Sequence, residues 1–164
     1  MFCKIDHYLK VLYRLSGYIA AIFLILVATF ILTGIASRIF GFYIRGLAEY
    51  SGYCMAASSF LALAYTFGEK GHIRITLFLE KANKEVRRFL DLWCFSVATF
   101  FSGFLSYYFI KMLIISIKFG ERSEGADEIY IWIPQVSVAL GSTIFFVCVL
   151  HNFILLILKR TNSY

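Results

Sequence analysis

Charged residues divide the chain into long uncharged intervals. Arg14 and Arg38 bracket residues 15–37, Glu49 and Glu69 bracket 50–68, Asp91 and Lys111 bracket 92–110, and Glu128 and Lys159 bracket 129–158, none containing Asp, Glu, Lys or Arg. A helix rises about 1.5 Å per residue, so the shorter intervals cover about 28 Å, close to the ~30 Å hydrocarbon core of a bilayer. Each can cross once, and none can cross twice. The last interval is trimmed by Pro134, which lacks an N–H and suits the first turn of a helix. The pattern predicts an all-α integral membrane protein, a single membrane domain over residues 1–164 with four transmembrane helices at about 15–37, 50–68, 90–112 and 133–158. The first apolar run is longer than the 7–15 residues of a signal-peptide core, so it is expected to remain as an anchor.

A second periodicity lies between the second and third spans. Ile75, Leu79, Ala82, Val86 and Phe89 share one helical face, with Glu80, Lys81, Lys84, Glu85 and Arg88 on the rest. This predicts an amphipathic helix at about 75–85 lying in the membrane interface, or else an extension of helix three. Ile5, Tyr8, Leu9, Leu12 and Leu15 give a weaker version near the N-terminus. Tyr130 and Trp132 on one side, and Trp93 on the other, suit the interfacial aromatic belts. Lys111 falls near the outer end of the third span, and Met112–Ile117 continues the apolar run, so helix three exceeds what the bilayer needs.

Composition agrees and narrows the class. Hydrophobic residues make up 60%, charged residues 16%, and the mean hydropathy is +0.77. Soluble domains have about 45–50% apolar and about 25% charged residues, so a soluble fold and disorder are both excluded. The pI near 9.2 reflects topology. Eleven of the sixteen Lys and Arg lie in the N-terminal tail, the central loop and the C-terminus, against four (Arg38, Arg45, Lys118, Arg122) on the other side. Positive charge stays in the cytoplasm, so both termini of this multi-pass protein are expected there. Attraction to the lipid bilayer accounts for the basic balance, and no nucleic-acid partner is expected. The last external loop is acidic, with Glu121, Glu124, Asp127 and Glu128 against Arg122.

Inside the spans the chemistry is sparse. No acid or base is centred in any span, the single proline is terminal, and no inverted repeat is evident. A self-sufficient carrier marks its path with such groups or with broken helices, so this chain is not expected to be one. Cys3, Cys54, Cys94 and Cys148 form no CxxC pair and read as small buried hydrophobes, and only His151 of the three histidines lies within a span. No catalytic, cofactor-binding or metal-binding residue is expected, and the chain does not read as an enzyme. The alternative from another class is a small four-helix membrane enzyme or a haem-anchoring respiratory subunit. Small residues at four-residue spacing (Gly52 and Ala56, Ser58 and Ala62, Thr99 and Gly103, Ser137 and Gly141) provide places where helix backbones can approach closely.

One string goes beyond these generic features. Phe67-Gly68-Glu69-Lys70-Gly71-His72-Ile73-Arg74-Ile75, preceded by Glu49 and followed by the Ile133-Pro134 opening and Gly141 of the last helix, resembles the small membrane (Q) subunit of tripartite ATP-independent periplasmic (TRAP) transporters. Glu49, Lys70, Gly71, His72, Ile73, Arg74, Pro134 and Gly141 match the family pattern, whereas Thr76 replaces its usual Asp. Locally, Gly71 suits a helix end, and Lys70 and Arg74 suit its negative pole. The resemblance implies a non-catalytic scaffold that braces a large transport subunit, working with a periplasmic substrate-binding protein in sodium-coupled uptake of organic anions such as dicarboxylates or sialic acids. Arg38, Arg45, Glu124 and Asp127 are the candidate contacts with the periplasmic partner.

Overall fold

The computed structural model of the chain describes residues 2–68, 84–123, 125 and 128–161. Four helices lie among these residues: α1 (Phe2–Ile39), α2 (Leu47–Gly68), α3 (Lys84–Phe119) and α4 (Trp132–Thr161). Three contain stretches long and apolar enough to cross a membrane, Tyr8–Ile39, Phe89–Phe119 and Trp132–Ile157. The shorter α2 holds no such stretch, because Glu49, Ser51, Ser58, Ser59 and Thr66, along with several tyrosines and glycines, interrupt its apolar run.

The helices outrun the predicted spans because nothing in the sequence breaks them. α1 begins at Phe2, not near residue 15, so the amphipathic stretch from Ile5 is continuous with the apolar one. α3 begins at Lys84, not near residue 90, which places Val86 and Phe89 in its first turns, and it passes Lys111 without interruption. Its 36 residues make a rod of about 54 Å. The expected interfacial helix at 75–85 falls mostly outside the described residues.

Both long helices stop by the same device. At the end of α1, Gly41 has φ +76°, its N–H donates to Arg38 C=O at 3.2 Å, and Phe42 N–H donates to Ser37 C=O at 3.0 Å. At the end of α3, Gly120 has φ +61°, its N–H donates to Ile117 C=O, and Glu121 N–H donates to Ser116 C=O. These are the paired bonds of a Schellman cap, whose left-handed residue is ordinarily glycine. α4 opens as the sequence suggests, with Pro134 in its first turn.

The helices form a row, α1–α2–α4–α3, in which α1 packs on α2, α2 on α4, and α4 on α3. α1 is buried or half-buried along a single seam, Tyr13, Ser16, Ala20, Phe23, Val27, Phe30, Gly34 and Ser37, while the side chains around the rest of its circumference are largely exposed. The alternating steps of three and four are those of a left-handed coiled-coil contact. α2 sits inside the row. Ser58 donates across to Ala20 C=O at 2.9 Å on α1, while Ala64 C=O accepts from the Cys148 thiol of α4 at 3.6 Å. Gly141 makes the α2–α4 contact, since a Cβ there would lie 2.7 Å from the backbone carbon of Phe60. Ser106 and Thr143 join α3 to α4 at 3.0 Å. Phe60 and Phe67 of α2 reach Phe109 and Phe95 of α3 edge to face.

Among the described residues, the buried polar side chains are all serines. Ser16, Ser37, Ser102 and Ser142 donate to carbonyls one turn back in their own helices, so their hydroxyls are satisfied without a partner helix.

Candidate interaction surfaces

One end of the row carries both short connections, residues 40–46 and 120–131. The second is tightly ordered where it is described. Ser123 N–H donates to Ile129 C=O at 2.7 Å and Ile131 N–H to Glu121 C=O at 3.1 Å, around an antiparallel bridge between Arg122 and Tyr130. The Arg122 guanidinium lies over the Tyr130 ring, 5.0 Å from its centroid, and 3.6 Å from the Glu128 carboxylate. Both charged side chains of that pair are more than half exposed, so the ion pair contributes at most about 1 kcal/mol. The Ser116 hydroxyl donates to the Glu121 carboxylate at 2.8 Å, tying the connection back to α3.

The first turns of α2 hold this connection from the other side. Tyr53 and Ser123 share a hydrogen bond of 2.9 Å, and Gly125 N–H donates to the same serine hydroxyl at 3.2 Å. The Glu49 carboxylate lies against Gly125, in the space a Cβ would take. Glu49 also sits in the first turn of α2, where a negative charge suits the positive pole of the helix. Residues 70 apart in sequence thus meet in one junction.

The site residues expected from sequence are distributed as follows. Glu49 joins the junction, Pro134 opens α4, and Gly141 lies at the α2–α4 contact. Arg38 ends α1 and Arg45 lies on the connection to α2, both exposed. Lys70, Gly71, His72, Ile73 and Arg74 lie outside the described residues, as do Glu124 and Asp127. Tyr53, Ser123 and Gly125 went unnoticed in sequence, where a tyrosine, a serine and a glycine in ordinary contexts carry no signal. The cysteines also divide: Cys148 is buried as expected and Cys54 half-buried, but Cys94 is exposed, because it lies on the outside of α3.

The largest surface feature is apolar. On α1, Ile22, Ile25 and Leu32 are more than half exposed, and on α3 so are Phe89, Trp93, Phe100, Phe101, Phe104 and Tyr107. Contiguous exposure on this scale marks contact with lipid or another protein. Among the described residues, no group of three or more His, Cys, Asp or Glu side chains is placed to hold a metal ion.

Comparison with known families decides the assignment. Residues 26–159 match the family model of the tripartite ATP-independent periplasmic transporters, DctQ component. The chain belongs to this family. A search of curated proteins gave no match. Membership makes the chain the small component of a TRAP transporter, a transport protein of the membrane, and implies association with the large subunit and a substrate-binding protein. The two edges of the row, α1 and α3, are the surfaces such a component has available in the bilayer.

Proposed function

We propose that the chain is a passive brace for the large subunit, crossing the bacterial inner membrane four times with both termini in the cytoplasm and forming one membrane domain. In this reading α2 crosses despite its interrupted apolar run because its neighbours α1 and α4 cover it, and the small and hydroxyl side chains serve packing. The matched residues Lys70, Gly71, His72, Ile73 and Arg74 belong to the positively charged, cytoplasmic side of the chain. The observation that carries the reading is the contrast within the row: buried serines whose hydroxyls are all taken up by bonds within the fold, against apolar outer edges on α1 and α3. A path for ions or organic anions needs charged or polar groups lining a cavity, so the cargo moves through the large subunit. Uptake is sodium-coupled and serves organic anions of the dicarboxylate or sialic-acid class, in keeping with the family. The connection end, with Arg38, Arg45, Glu124 and Asp127, faces the periplasm and meets the binding protein.

The reading is tested by affinity purification of the tagged chain from membranes in mild detergent. The expected result is a stable complex with a much larger polytopic protein. Recovery of the small chain alone and monodisperse, from cells that express the large subunit, overturns it.

A further inference from the structure

A cleft of about 330 Å³ opens between the end of α1 and the start of α2. Phe30, Gly34 and Leu47 line its apolar part, and Arg38 and Tyr43 its polar part. Gly34 keeps it open, since a Cβ there would meet only Leu47, at 3.9 Å. The Arg38 guanidinium makes no ion pair or hydrogen bond among the described residues. Glu49 also lines the cleft, but its carboxylate lies against Gly125.

Depth and chemistry together select an occupant. Arg14 and Arg38 are the charges on either side of the uncharged stretch of α1, 24 residues or about 36 Å apart, so the proposed crossing puts Arg38 at the level of the lipid phosphates. Phe30 lies two turns deeper, about 12 Å below, at the level of the acyl chains. The connection beside the cleft exposes Phe40, Phe42 and Tyr43, with Arg45 following them, the mixture of aromatic and cationic groups that settles at a membrane interface. Arginine matches phosphate oxygens with two parallel N–H donors, and the Arg38 guanidinium, which has no anionic partner among the described residues, suits such a phosphate at that depth. We propose that the cleft binds one anionic phospholipid, its phosphate on Arg38 and an acyl chain laid over Gly34 towards Phe30. Arg45 lies outside the cleft wall, but as an exposed cation on the adjoining connection it adds to the local positive charge and favours a headgroup with net negative charge over a zwitterionic one.

The proposal rests on the crossing of α1 but not on the bracing role. Its test is native mass spectrometry of the full chain, with and without the large subunit, released from nanodiscs of equal parts phosphatidylglycerol and phosphatidylcholine. The wild type retains one phosphatidylglycerol per chain. Arg38→Gln lowers that retention about fivefold, equivalent to about 1 kcal/mol for one cation near the membrane surface. Gly34→Leu fills the floor and empties the cleft of both lipids. Millimolar inorganic phosphate leaves the lipid in place. Equal retention by wild type and both variants overturns the proposal, because the lipid is then only annular. Displacement by inorganic phosphate overturns it in favour of a free-anion site, and loss of the lipid on joining the large subunit assigns the cleft to that subunit. The same spectra count the complex: a missing complex contradicts the bracing role, and lipid retention is still read on the chain alone.

Discussion

At the scale of single residues, two glycines show how the same substitution acts through different neighbours. A Cβ on Gly141 meets backbone atoms, the carbon of Phe60 at 2.7 Å and the nitrogen of Leu61 at 2.9 Å. Backbone cannot swing aside, so α2 and α4 must part. Gly141→Ala is expected to lower stability by about 1–3 kcal/mol, the usual cost of overpacking, seen as a lower thermal midpoint in detergent. A Cβ on Gly125 meets the far end of a flexible side chain, the Glu49 carboxylate. Gly125→Ala should therefore cost only about 1 kcal/mol, chiefly by displacing that carboxylate from the junction, and much less in a Glu49→Ala background. Thermal midpoints of the two single variants and the double variant measure this coupling, and simple additivity would contradict the contact. Sequence alone marked Gly141 and Glu49 as family positions but gave no hint of Gly125, whose neighbour lies across a fold boundary.

At the scale of elements, most of the helices were legible and their ends were not. Charge-free intervals locate apolar stretches because burying a charge in lipid is costly, but a helix can continue through charges once it is outside the hydrocarbon. That is why α1 includes Lys10 and Arg14, and α3 runs from Lys84 past Lys111 to Phe119. The glycine caps at Gly41 and Gly120 end both helices where the sequence offers a left-handed residue. The described part of the connection after α3 is held at Tyr53, Glu49 and Ser116, through Ser123, Gly125 and Glu121. If the acidic connection meets the binding protein, Glu124→Lys with Asp127→Lys should reduce uptake several-fold while leaving assembly with the large subunit intact. Uptake assays alongside affinity purification separate the two, and unchanged uptake contradicts the proposed contact.

At the scale of the whole molecule, the order of helices in the row could not be read from the chain. α3, which follows α2 in the chain, packs chiefly on α4 and touches α2 through ring contacts such as Phe60 with Phe109, and the Phe60–Gly141 contact of α2 with α4 is likewise one that only the fold brings together. This order leaves two long apolar edges and places α2 between α1 and α4. A protein so built offers surface to a partner, and its described interior offers serines rather than charges. The most direct measurement of the bracing role is uptake of labelled organic anions by proteoliposomes under an inward sodium gradient. The account predicts accumulation only when the large subunit and the binding protein are present with this chain. Accumulation against a gradient by vesicles containing this chain alone would contradict it.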